Sequence, residues 1–250
     1  MPSRPRLFLL PALALCLLAV IGSARAPAER SPTVSRPPAS TAVGGVVRET
    51  APSPDVVGTA AGVAHRSGLL GFRWNPCRPV TYRVNARGGY RGSTADIRTA
   101  FRRIGRITGI RFVYEGQTRR IAFRTRLDPR TDITVSWATP RQVPLLRGAI
   151  AALANNAVVR NRGIREAVKG QIALDRTTPI GPGYTLAGPP TWGQAFLHEI
   201  GHVVGLAHVG DRTQVMYPTI NRDNHVLGLG DRLNLVAVGI AAGCIPHSWR

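Results

Sequence analysis

Alternating and helix-period runs of apolar residues divide this chain into a short series of elements. Val80-Thr81-Tyr82-Arg83-Val84 alternates and predicts a strand, with a turn after it at Gly88-Gly89. Ile97, Ala100, Phe101, Ile104 and Ile107 recur at helical spacing. They predict a helix capped by Ser93, with Asp96 in its first turn and its end near Gly109. Arg98, Arg102, Arg103 and Arg106 then fall on its wet face. Residues 110–114 predict a second strand, which Ile121-Ala122-Phe123 extends or pairs with. Asp132-Ile133-Thr134-Val135-Ser136-Trp137 is the clearest strand signal in the chain. Residues 143–168 fit helix, strand and loop alike, and residues 170–175 predict the last strand before a helix. Gly181-Pro182-Gly183 and Gly188-Pro189-Pro190 are loops. A helix follows from Thr191 to about Gly205, presenting Phe196, Leu197, Ile200, Val203, Val204 and Leu206 to a sheet. A closing helix begins at Asp231 and carries Leu233, Leu235, Val236, Val238 and Ile240 towards Cys244.

The first apolar run is of another kind. Arg4 and Arg6 precede an uninterrupted stretch over residues 7–21, and residues 22–28 are rich in small side chains, which reads as an export signal over residues 1–28. Cleavage after Ala26 would leave Pro27 next to the cut, and cleavage after Ala28 would not. The competing reading, an uncleaved anchor, needs roughly 20 apolar residues, and this run is shorter and contains Pro11. Cys16 follows Leu15 rather than a small residue, which argues against a lipid anchor. Residues 29–65 are rich in Pro, Ser, Thr, Ala and Val without any period, as in a disordered linker or a short propeptide. Residues 66–250 form one domain large enough to bury a core.

Charge and cysteine content narrow the picture. The chain carries 33 basic and 13 acidic residues, a formal charge of +20. Lys169 is its single lysine, so the basic residues are almost all arginine, scattered rather than clustered. This suits a solvated basic surface in non-specific contact with anionic cell-surface polymers; no nucleic-acid module is present, and specific nucleic-acid binding is not expected. Beyond the leader the cysteines are Cys77 and Cys244, and export to an oxidising compartment favours a disulfide between them.

The chemistry lies in one stretch, His198-Glu199-Ile200-Gly201-His202-Val203-Val204-Gly205-Leu206-Ala207-His208. Two histidines four residues apart leave the same face of a helix and suit two ligands of a tetrahedral zinc ion. Gly205 can end the helix in a left-handed conformation and turn the chain so that His208 supplies a third ligand. Three protein ligands leave the fourth position to water, as in a catalytic site. Glu199 stands beside the first ligand, placed to act on that water. A bare pair of histidines is often just two polar residues, but five fixed positions match by chance on the order of once in 100,000 chains of this length.

These residues resemble the metzincin signature, and Met216-Tyr217-Pro218 resembles the Met-turn of its matrixin branch. The resemblance covers residues 74–244. It implies an α+β catalytic domain: a mixed twisted sheet, an N-terminal helix, a zinc-binding active-site helix, a Met-turn and a C-terminal helix. In that family the methionine packs beneath the imidazoles without binding the metal, the role implied for Met216. An acidic residue at Asp231 supports the Met-turn from behind, although helix capping explains it equally well. Asp175 could bind a metal in the family sense or close a strand-end turn. Position 218 is Pro, so the tyrosine ligand of some branches is not carried over. Many matrixins are held latent by a propeptide cysteine, but Asn75-Pro76-Cys77-Arg78-Pro79 lacks the Pro-Arg-Cys-Gly run. The long acidic calcium loops and haemopexin-like repeats are missing as well, so calcium is possible without support.

The implied function is a secreted, extracellular, monomeric zinc endopeptidase acting on proteins or peptides, with one catalytic zinc on His198, His202 and His208 and Glu199 as general base. The alternatives are a secreted basic zinc-containing protein that binds anionic cell-surface polymers without catalysis, and a metal hydrolase acting on a non-peptide bond.

Overall fold

The computed structural model describes residues 16–20 and 68–248, so the expected linker and most of the expected leader lie outside the described residues. Five strands form a mixed sheet: β2 (Val80–Asn85), β3 (Phe112–Gln117), β4 (Ile133–Ala138), β5 (Ile150–Asn161) and β6 (Ile164–Asp175). Two short strands, β1 (Cys16–Val20) and β7 (Thr219–Ile220), extend its β5 edge. The order is β3-β2-β4-β6-β5-β1-β7. Strands β3, β2, β4 and β6 run parallel, while β5 is antiparallel to β6 and to β1. Among the described residues the helices longer than one turn are α1 (Ser93–Thr108), α2 (Trp192–Val204) and α3 (Leu229–Val238).

The main core lies between the helices and one face of the sheet. Ile133, Val135 and Trp137 of β4 point into it, joined by Ile97, Phe101 and Ile104 from α1 and by Phe196, Ile200 and Val203 from α2. Tyr82 of β2 stacks on Phe101 with ring centroids 3.9 Å apart. A smaller cluster of Ala122, Ala138, Val143, Leu146, Leu153 and Ala173 is also buried. Every residue of β4 is therefore buried, as expected of a central strand flanked by parallel neighbours.

Several expectations need correction. Gly92 (φ 93°), not Ser93, precedes the first turn of α1, and Ser93 is already helical. Asp96 does lie in the first turn, as expected, where its carboxylate accepts a hydrogen bond from the Tyr90 hydroxyl at 2.6 Å. The second strand starts at Phe112 rather than at residue 110. Residues 121–123 form turns, not strand: the Ala122 N–H is taken up by Ser136 Oγ and the Phe123 N–H by Gln171 Oε1. Residues 143–168 resolve into a one-turn 3-10 helix at Pro144–Leu146 and most of the β5–β6 hairpin. The closing helix begins at Leu229 and ends at Val238; Leu235 and Val238 are buried, whereas Leu233, Val236 and Ile240 are exposed.

The start and end of the domain are fastened to each other. The Trp74 indole donates to Val203 O of α2 at 2.7 Å. The Asn75 side chain exchanges two hydrogen bonds with the backbone of Ile245, at 3.1 and 3.2 Å. Beside them Cys77 and Cys244, 167 residues apart, form the expected disulfide, with a Cα–Cα separation of 5.3 Å within the usual range.

Candidate metal centre

Helix α2 is buried along its whole length, so whatever it carries is held inside the protein. Its start is fixed by Gln194, whose Oε1 accepts the N–H of Thr191 at 2.7 Å. Its end is fixed by Gly205, at φ 116°, where a Cβ would also lie 2.4 Å from Phe72 O. No other residue meets both demands. Beyond that turn Ala207 donates to Gly68 O at 2.8 Å and Val209 to Met216 O at 3.1 Å, which brings His208 back over the helix.

The structure brings the three histidines expected to act as ligands together. His198, His202 and His208 each offer a ring nitrogen, and these lie within 4.8 Å of one another. The Nε2 atoms are 2.9 Å apart for His198 and His202 and 3.2 Å apart for each of the other pairs. A tetrahedral zinc with Zn–N near 2.05 Å sets its nitrogens about 3.3 Å apart, so the triangle fits the ion. Backbone carbonyls fix the tautomers. His198 Nδ1 faces Val215 O at 2.7 Å and His202 Nδ1 faces Leu206 O at 2.9 Å, so each Nδ1 must donate. In the neutral rings both Nε2 atoms then present lone pairs to the same point, an arrangement that repels unless a cation occupies it. Burial keeps the rings neutral: it lowers His198 from 6.5 to about 3, with the Val215 carbonyl acting the other way. Burial, aided by His198, also holds His202 well below its ordinary value, and burial lowers His208.

Glu199 is fully buried, and neither of its carboxylate oxygens has a hydrogen-bond partner among the described residues. Such a group is costly unless something else meets it. Burial pushes its carboxyl well above the ordinary range, and a divalent cation on the neighbouring imidazoles acts in the opposite direction.

Met216 is completely buried beneath the helix. A Cβ at Gly201 would lie 2.4 Å from Met216 Sδ, so the helix can rest on the sulfur only because residue 201 has no side chain. The Met-turn is held from behind by Asp231. Its carboxylate accepts N–H bonds from Val215 at 2.7 Å, Met216 at 3.2 Å and Gly228 at 2.9 Å, so it supports the turn and caps α3 at once. Asp175 lies at a strand end and not in the cluster; its Oδ1 accepts from the backbone N–H and hydroxyl of Thr177, as in a local turn.

Sequence reasoning missed Gly201, Gln194, Asn156 and Asn224. Only Gly201 left a trace, since a glycine inside a helix usually has a packing reason. Asn156 of β5 donates to His202 O at 3.3 Å and so ties the sheet edge to the helix.

That edge borders a slot. β1 lies between β5 and β7, antiparallel to β5 (Cys16 opposite Ala154, Leu17 opposite Leu153) and parallel to β7 (Ala19 opposite Thr219, Val20 opposite Ile220). β7 follows directly on Met216-Tyr217-Pro218. The space between β5 and β7 therefore holds one extended strand, β1, through main-chain pairing on both sides.

The family model described as Matrixin matches residues 73–233 of the chain, well over half of it. Comparison with curated proteins finds no match.

Proposed function

The chain belongs to the matrixin family of zinc metalloendopeptidases, and on that premise we propose a secreted enzyme in which His198, His202 and His208 hold the catalytic zinc and Glu199 is the general base. When bound, zinc lowers the pKa of its water to about 7 and polarises the carbonyl under attack. Glu199 takes a proton from that water at its buried carboxylate and delivers it to the leaving amine. The peptide lies extended between β5 and β7, where main-chain pairing holds any sequence in one direction. The observation that carries this reading is the convergence of the ring nitrogens beside a buried carboxylate that has no hydrogen-bond partner among the described residues.

Export is part of the proposal and rests on the leader-like residues 1–28. A cut after Ala26 or Ala28 would remove β1 and open the slot to substrate. Exposed Arg98, Arg102 and Arg106 on α1 favour contact with anionic polymers as a secondary property.

The test is Glu199→Ala. The variant should hold about one zinc and keep its fold, while proteolysis falls by roughly 10²-fold or more. His198→Ala should lose metal and activity together. A Glu199→Ala protein that cleaves a general protein substrate as fast as the parent would refute the mechanism.

A further inference from the structure

The slot has two walls, and they are built differently. β5 is a 12-residue strand anchored along its length to β6. β7 is two residues long, and among the described residues it pairs with β1 alone. Left to itself, such a segment would not keep the position that main-chain pairing with a peptide demands.

Two buried amide side chains supply what pairing does not. Gln194, in the first turn of α2, is 1 % exposed, and Asn224 is 0 % exposed. Gln194 Nε2 donates to Asn221 O at 2.8 Å and to Asn224 Oδ1 at 3.0 Å, which uses both of its hydrogens. Asn224 Oδ1 also accepts the Asn221 N–H at 2.9 Å, and Asn224 Nδ2 donates to Thr219 O at 3.0 Å. The remaining polar atom of Gln194 is the oxygen that fixes the Thr191 N–H at the head of the helix. One connected network thus runs from the helix that carries His198 and His202 to the main chain of β7.

We propose that Gln194 and Asn224 are positioning residues for the substrate, setting β7 at pairing distance from the peptide and indexing it to the zinc helix. The proposal rests on the peptidase reading above and assigns these residues to one part of the peptide. β1 marks the direction: its first residues oppose β5 alone, and only Ala19 and Val20 oppose β7. The clamp therefore acts on the C-terminal part of a bound peptide and leaves the N-terminal part to β5.

That polarity gives a readout that mere destabilisation would not produce. The exported protein carrying Glu199→Ala binds peptides without turnover, so affinity can be measured apart from catalysis. The probes are one synthetic peptide of eight residues, the same peptide shortened by two residues at its C-terminus, and the same peptide shortened by two at its N-terminus. In the Glu199→Ala protein each truncation should weaken binding on the order of tenfold, since each removes one or two main-chain hydrogen bonds. Adding Gln194→Glu keeps the helix cap and the packing but turns the donor into an acceptor facing Asn221 O and Asn224 Oδ1. The C-terminal truncation should then cost less than about threefold, while the N-terminal truncation keeps its full effect and zinc content stays at one. Asn224→Ala is the second variant should the first not fold, with the same expectation. Equal loss from both truncations in both variants overturns the clamp. Failure of the Glu199→Ala protein to bind any of the peptides overturns the peptidase reading itself, and the clamp with it.

Discussion

At the scale of single residues, the most exacting position in the site is Gly201, which does no chemistry. Gly201→Ala would drive a methyl group to 2.4 Å from Met216 Sδ, so the buried thioether, the helix or the Met-turn must shift. Overpacking of this kind costs about 1–3 kcal/mol. We expect a lower melting temperature and weaker zinc retention with all three histidines intact, checked by calorimetry and metal analysis. The histidines make a second prediction. Their pKa values are lowered in the fold, His198 from 6.5 to about 3, so the unfolded chain takes up protons first as the pH falls. Stability is then fully present above about 6.5 and is lost progressively below it. Protonation also competes with zinc, so both effects have the same sign. Melting temperature followed from pH 8 to pH 4 should fall on the acid side; a flat profile would contradict the buried neutral rings. The ligands and Glu199 could be read from the sequence because their chemistry is packed into one contiguous stretch. Gly201 stood in the same stretch, but its reason lies 15 residues further on, at Met216, where spacing rules do not reach.

At the scale of elements, legibility followed burial. β2 and β4 were visible in the sequence because each has at least one uniformly packed face. β5 was not, and of β6 only residues 170–175 were: Asn155, Asn156, Arg160 and Asn161 interrupt the apolar pattern of β5, and the reason is that β5 borders the slot and carries polar contacts to α2. Strand length and turn chemistry at Arg162-Gly163, not hydrophobic period, define that hairpin. The start of α3 was misjudged because Asp231 serves two elements. Asp231→Ala leaves three buried or half-buried N–H groups without an acceptor, at Val215, Met216 and Gly228. We expect a loss of roughly 2–4 kcal/mol, or about 5–15 °C in melting temperature for a domain of this size. Because Val215 O orients His198, zinc affinity should fall in parallel, and an unchanged affinity would separate the Met-turn from the metal.

At the scale of the whole molecule, the sheet and the three helices expected from the resemblance, the zinc helix among them, are present, and the strands added at the β5 edge are what the sequence did not reveal. Residues 16–20 read only as part of an apolar leader, because pairing with two distant strands leaves no mark on composition. One feature at this scale bears on survival rather than catalysis. A peptidase at work is surrounded by copies of itself, and its exposed loops are substrates. Here the bond between Cys77 and Cys244 closes the chain into a ring that contains the histidine cluster, β2 to β7 and all three helices. Cutting a ring once does not divide it. A nick in the loop at residues 181–190 should therefore leave two fragments that migrate together on a non-reducing gel and part only on reduction. The molecule can tolerate one wound inside the ring without losing a piece, whereas a cut before Cys77 releases whatever precedes it.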